Sequence, residues 1–580
     1  WAERPIVNST EDPSGDRLSS TDLIAQAQSR RQGRFEFAAE QVEAPARALV
    51  RSAEGEEALH ALELAAELSP GLPLAQFALA AELGRRGEFR EALTAGRRGA
   101  LAVPQHVEAR LWWMGSAMVL VALVTITSAL SFILAVGFSF FRQSAHDLGD
   151  VFSQRMPAFA RAALLLACLL GPLSLGEGIL GLALGGFAIG AVYGRPSHRT
   201  MLVLSAALLM LGLFPLTERA GRALHALDAD PVASSALAVV RGRATSAQLD
   251  LLEKAAGSGG DVLALRSLAV QAGRKGDTET ARALFSELLQ RKEGDPMALT
   301  VLGNMSFRSG DVEEAIRRYE GARRRETSFE LSFNMAQVYA KNFRLEDFHH
   351  AMVAAQKLDS ERATRLAQLG NPDFVIDPPF PMDSIRGRML NSADGAPWVR
   401  SVVDAVAPGW LGRDVRHMLA GFGFVWLLSL LVRSRYQHAG HCERCGCTIC
   451  ARCDDGMWNS DICDSCHFLF SRPQATDPAL RTLRIKALGV REKRAKRLST
   501  FFSLLVPGVA GMLARRPDLA FLSIFYFVGA AVFWIFRQGP VPEPLVVGDA
   551  AWVIFGLVSG LLFVSYVFSL IASLAIRRSQ

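Results

Sequence analysis

Seven of the eight cysteines lie between Cys442 and Cys466, and six of them make three C-x-x-C pairs: Cys442 with Cys445, Cys450 with Cys453, and Cys463 with Cys466. A C-x-x-C knuckle lets two thiolates take adjacent corners of a tetrahedron, and two such pairs close a structural Zn2+ site. Cys442 and Cys445 would face Cys463 and Cys466. Cys450 and Cys453 then belong to a second site that needs two further ligands, and Cys447, His441 and His467 are the local candidates. Disulfides and an iron–sulfur cluster are competing uses of so dense a set. The basic residues flanking it favour a reducing compartment over the oxidising one that disulfides need. Cys168 lies in an apolar stretch and is expected to be a core residue, where a thiol packs as a small hydrophobe.

Catalytic constellations do not accompany the cysteines. The sequence contains no H-E-x-x-H, no G-x-x-x-x-G-K-[ST] and no G-x-S-x-G. His349 and His350 have no ligand-spaced neighbours and read as surface residues. Charge inside the apolar stretches is limited to Glu177, in an expected turn, and Arg161, near the end of a stretch, so a polar transport path is not indicated. The expectation is a non-enzymatic protein that works by recognition.

Recognition needs a surface, and the chain repeats in a way that builds one. Gly276 and Gly310 are 34 residues apart, as are Ala281 and Ala315, and Ala269 and Gly303; a third copy follows at 33 with Ala336, Phe348 and Ala355. Nearer the N-terminus, Ala46 and Ala80, Ala58 and Ala92, and Pro70 and Pro104 keep the same spacing. The run Leu302, Gly303, Phe307, Gly310, Asp311, Ala315, Tyr319, Ala322 resembles the tetratricopeptide (TPR) consensus, in which small residues let paired helices approach and each pair buries its apolar face on the next. The resemblance spans roughly residues 35–106 and 261–361. In the last copy Phe343 stands where Gly310 stands and Phe348 where Ala315 stands, which suggests a capping pair of altered geometry. A tetratricopeptide array implies a concave groove lined by the first helix of each pair, and Arg266, Arg274, Asn304, Arg308 and Lys341 fall on or near that face. Such a groove would take protein partners, in particular an acidic or carboxylate-terminated peptide; an ordinary solvated surface is the plain alternative.

A spanning helix needs about 20 largely apolar residues. Met114–Phe141 satisfies this, Met201–Leu216, Leu519–Phe536 and Trp552–Ile576 are three more candidates, Phe159–Leu175 and Ile179–Tyr193 read as a shorter hairpin, and Met418–Val432 is marginal. Taken as seven spans, they put Arg142, Arg155, Arg195, Arg199, the basic stretch 433–516, Arg577 and Arg578 on one side, while the loops Ser174–Gly178 and Gln538–Ala550 carry no Lys or Arg. By the positive-inside rule both repeat blocks lie outside the cytoplasm and the cysteine module inside, provided that Met418–Val432 crosses. Phe501–Ala514, with Pro507, Gly508 and Gly511, is too short to span and reads as re-entrant or interfacial. Residues 481–497 are rich in Arg and Lys, which suits an anionic lipid leaflet. Nucleic acid is disfavoured there because the run lacks aromatic platforms.

The bulk composition agrees: 580 residues, half of them apolar, with a net charge of only +6. The expected fold class is mainly α, with TPR helical-repeat blocks, a polytopic α-helical membrane domain and a small zinc-ribbon-like module. The expected organisation is a disordered segment 1–34, repeats at 35–111, a membrane domain of about four helices at 112–217, a linker or helical stretch at 218–260 and repeats at 261–361. A Pro/Gly-rich linker at 362–417, a membrane helix at 418–432, the zinc module at 441–467, a basic juxtamembrane and interfacial segment at 480–518, and two membrane helices at 519–580 complete it. The layout resembles that of bacterial membrane proteins combining tetratricopeptide repeats with a C-x-x-C zinc module. It implies a multi-pass inner-membrane scaffold for an envelope assembly, with periplasmic repeats and a cytoplasmic zinc module. The alternative is a transmembrane sensor that couples binding outside to a zinc or redox module inside.

Overall fold

A computed structural model describes residues 43–53, 55–152, 156–367, 374–436, 438–442, 445–450, 462–471, 478–541, 548 and 550–579. The segment 1–34 and the start of the first repeat block therefore lie outside the described residues. Helices dominate, and among the described residues the only sheet is a two-stranded hairpin. The chain divides into two compact units, one of residues 1–113, 222–393 and 542–550, the other of 114–221, 394–541 and 551–580.

The first unit is built from antiparallel helix pairs. Pro73–Arg85 pairs with Phe89–Ala102 across Gly87, whose φ of 85° makes the turn. Three further pairs follow one another: Val262–Lys275 with Thr278–Arg291, Pro296–Arg308 with Val312–Arg323, and Phe329–Lys341 with Leu345–Leu358. Each first helix starts on a side-chain cap, from Asp261, Asp295 and Ser328 in turn, which satisfies N–H groups that the helix itself leaves open. Ala269, Ala281 and Ala315 are fully buried between paired helices. Gly303 is there for space: a Cβ would sit 2.5 Å from the ring of buried Tyr319. The turns inside the pairs use the left-handed region at Gly276 and Gly310, and Phe343 takes the same region with a φ of 55°. The third pair keeps the turn of the other two because backbone conformation, not side-chain size, is what the turn demands; the Phe343 ring is left 89% exposed.

The stretch 218–260 forms helices Thr217–Ala229, Pro231–Val240 and Ser246–Gly259, and their Ala226, Ala233, Leu237 and Leu252 share one core with the repeat residues Ala264 and Phe285. Within 362–417, read above as a linker, helices Met382–Ser392 and Ala396–Val406 form. Arg388 pairs with Asp230 at 2.6 Å and also with Asp261, so the first of these helices is fastened to the repeats.

The second unit holds most of the apolar length. Among the described residues, five helices are long and apolar enough to cross a membrane: Val107–Ser139, Pro196–Ala229, Val415–Arg435, Pro517–Ile535 and Val553–Ile576. Ala158–Ser174 and Gly178–Tyr193 are shorter. The stretch Met418–Val432, marginal by sequence, lies inside a 21-residue helix. Close helix approach rests on glycine, since a Cβ on Gly137 would come within 2.6 Å of the Gly186 Cα. The run 501–514 breaks at Gly508 (φ 86°) into the end of helix Pro478–Leu505 and the short helix Val509–Leu513. Cys168, read above as a core residue, is exposed on an apolar helix, a position that suits a thiol facing a nonpolar surround.

Candidate functional site

The cysteine region sits at the tip of the hairpin. Gly440–His441 pairs antiparallel with Thr448–Ile449, Gly440 opposite Ile449, and the connecting loop closes on itself through Cys442 N–H to the Cys447 carbonyl and Gly446 N–H to the Cys442 carbonyl, both 2.8 Å. Gly446 takes a φ of 68°, which turns the chain back directly after Cys445. Cys463 precedes helix Asp464–Ser471, and Cys466 lies in its first turn.

These elements bring Cys442, Cys445, Cys447 and Cys463 together, with all four sulfurs within 4.8 Å of one another. The Cys445 sulfur lies 3.2 Å from that of Cys447 and 3.6 Å from that of Cys463, and the Cys463 N–H donates to the Cys442 sulfur at 3.3 Å. Cys466, also buried, adds a fifth thiol in contact with Cys463, Cys445 and Cys442. Burial, with the neighbouring thiols adding to it, pushes Cys447 and Cys466 well above the ordinary thiol range, and burial also raises Cys463. Several thiolates cannot share so small a space without a cation, so the donor set fits a metal ion. Cys447, one of three candidate ligands for a second site by sequence, lies instead with the first group. Cys450 stands apart from this group, beside His146, Asp147 and Asp150. Cys453 lies outside the described residues.

The residues expected to line a groove divide into two sets. Arg266 is buried and pairs with Asp295 at 2.6 Å. Burial opposes the charge on Asp295, but Arg266 and the Ala298 N–H outweigh it and hold the carboxyl below its ordinary range. Arg274 donates to the carbonyls of Val239 and Val240 at the end of helix Pro231–Val240. Both arginines fasten helices to one another. Lys341 lies over the Phe307 ring, 4.9 Å from its centroid.

Asn304 and Arg308 instead face the non-helical residues 374–380. Asn304 is fully buried, and its Nδ2 donates to the Ile376 carbonyl at 2.9 Å and to Asp377 Oδ1 at 2.7 Å. Asn334 holds the same residue from both sides: its Nδ2 donates to the Ile376 carbonyl at 2.7 Å and its Oδ1 accepts the Ile376 N–H at 2.8 Å. Tyr319 O–H and Asn334 Nδ2 both donate to Asn304 Oδ1, which fixes the orientation of its amide. Arg308 reaches Asp377 at 3.5 Å. Val375 and Ile376 are buried in this embrace. Nothing in the repeat pattern pointed to Asn334, because the last copy follows at 33 residues and places Gln337, not Asn334, at the position equivalent to Asn304.

A third acid and histidine grouping, Glu43, His106 and Glu108, is buried among Arg47, Arg241 and Arg243. His106 Nδ1 accepts from the Ala109 N–H, which leaves Nε2 to donate to Glu43 at 3.4 Å. Three guanidinium groups already neutralise the two carboxylates, so this is an ion-pair network and not a metal site. Burial chiefly, and the charge of Arg241, hold His106 below its ordinary value against the opposing pull of the carboxylates.

Glu177 also has a structural task. Its carboxylate accepts the main-chain N–H groups of Trp410 (3.0 Å) and Leu411 (2.9 Å), far away in sequence. The chain matches no family model and no curated protein.

Proposed function

We propose that this protein is a membrane-anchored, non-enzymatic scaffold whose tetratricopeptide-type repeats hold partners by the main chain of an extended segment. The observation that carries the reading is the double hydrogen bond from the Asn334 amide to the N–H and C=O of Ile376, seconded by Asn304. Grasping one residue's main chain at two points selects an extended conformation and leaves side-chain pockets to set preference. Val375, Ile376 and Asp377 occupy the groove in cis, so a partner of the same chemistry, two aliphatic residues followed by an acid, exchanges with them. Arg308, beside Asp377, supports the preference for an acid. We assign Zn2+ to the cysteine cluster, because an all-thiolate tetrahedral set suits a closed structural zinc site. The charge of the short loops supports a bacterial inner-membrane topology with the repeats in the periplasm and the zinc module in the cytoplasm. Helix Pro478–Leu505 exposes Arg484, Lys486, Lys493 and Arg494 beside Leu483 and Ile485, which supports contact with an anionic leaflet.

The test uses a labelled peptide with the sequence of residues 374–381 and the full chain in detergent. Ile376→Asp, which ejects the cis segment, is expected to bind the peptide, whereas the unaltered chain binds far less. A folded Ile376→Asp chain that shows no saturable binding would overturn the reading.

A further inference from the structure

One described cysteine of the C-x-x-C pairs is absent from the sulfur cluster. Cys450 follows directly on strand Thr448–Ile449, is only 2% exposed, and meets helix Phe141–Phe152. There the Cys450 sulfur and donor atoms of His146, Asp147 and Asp150 all lie within 4.8 Å of one another. His146 and Asp150 are four residues apart and so share a helix face; His146 Nδ1 is 3.4 Å from Asp150 Oδ2 and 3.5 Å from Asp147 Oδ1.

We propose that His146, Asp147, Asp150 and Cys450 form a second metal site, which ties the cysteine hairpin to helix Phe141–Phe152 and takes a zinc-like divalent ion. The chemistry of the donors selects the ion. One thiolate, one imidazole and two carboxylates make the mixed S, N, O set that zinc accepts, whereas calcium and magnesium call for oxygen throughout. The surroundings orient the ligands as an outer shell does. Asp147 Oδ2 accepts the Tyr193 O–H at 2.8 Å and the Ala439 N–H at 3.0 Å, which turns Oδ1 toward His146. Arg161 lies 3.2 Å from Asp150 Oδ1, and Gly149 makes room for it: a Cβ there would meet the Arg161 side chain at 2.4 Å. With an ion bound, its two charges and that of Arg161 match the two carboxylates and the thiolate. Cys447 and Cys450 are neighbours in the hairpin, yet the first serves the cluster that closes its tip and the second the site that docks it.

The experiment is metal analysis of the full chain, purified in detergent, loaded with zinc and dialysed. The expected content is about two ions per chain, falling to about one in both Cys450→Ser and His146→Ala, and to about one in Cys445→Ser, which disrupts the other cluster. A content near one in the unaltered chain, or no loss in both Cys450→Ser and His146→Ala, would overturn the proposal and leave the cluster as ion pairs only. Because a variant can lose its fold, zinc X-ray absorption of the unaltered chain gives an independent reading. The two sites together predict about five sulfurs to three lighter ligands, and an all-sulfur shell would equally overturn the proposal.

Discussion

Replacing Asn334 by Ala isolates the main-chain grip on Ile376. The residue is fully buried, and the substitution removes the bonds to the Ile376 N–H, the Ile376 carbonyl and Asn304 Oδ1. The carbonyl keeps Asn304 Nδ2 as a donor and Asn304 Oδ1 keeps Tyr319, so the group left without its partner is the Ile376 N–H. An orphaned buried donor costs about 1–3 kcal/mol, and the lost bonds about 1 kcal/mol more, so the segment should open more easily by about 2–4 kcal/mol. At about 1.4 kcal/mol per decade this is a roughly 30- to 800-fold loss of protection from hydrogen exchange. The assay is exchange mass spectrometry of peptides covering 374–380, with helix Pro296–Arg308 as an internal reference. Loss at the segment with the reference unchanged is the expected result. Unchanged protection at 374–380 in a folded chain refutes the reasoning, because the bonds would then contribute nothing to holding the segment.

Other perturbations address the remaining supports. Phe343→Gly should stabilise the first unit by about 1 kcal/mol, since the ring is exposed and a left-handed non-glycine residue costs about 1–2 kcal/mol; thermal melting reads it. Asp295→Asn strands buried Arg266 and should destabilise by about 3–5 kcal/mol in denaturant titration. Gly137→Ala places a methyl against the Gly186 backbone and should cost about 1–3 kcal/mol of helix packing, seen as a lower melting temperature in detergent. The depressed His106 takes up a proton less readily when folded than when unfolded. Its contribution is therefore complete above pH 6.5 and is lost as the pH falls from there toward its folded value. Melting at pH 7.5 and 5.5 should show that loss, and His106→Gln should flatten it.

What could be read from the sequence was what repeats or clusters locally. The C-x-x-C spacing foretold a convergence of thiols, because a knuckle is made by neighbouring residues, and the hairpin and the helix after Cys463 deliver them. The 34-residue period foretold close-packed positions such as Gly303 and Ala315, because small residues there are a steric requirement of helix pairs. Apolar length likewise marked the helices able to cross a membrane. What escaped is pairing over long sequence distance. Nothing near Asn304 announces Ile376, nothing near Cys450 announces His146, and the Glu177 carboxylate had a visible turn but no visible partner in Trp410 and Leu411. Phe343 shows the opposite error: a residue type that seemed to forbid the glycine turn adopts it, because the flanking helices impose the backbone.

The central claim is that the repeat groove exchanges its own extended segment for a partner's. A photoreactive amino acid at position 341, at the end of helix Phe329–Lys341, tests it in native membranes of cells producing the full chain. The account predicts intrachain products with residues 374–380 in the unaltered protein, and adducts to a second polypeptide that increase when Ile376→Asp empties the groove. Intrachain products alone, at equal yield with and without Ile376→Asp, would contradict it.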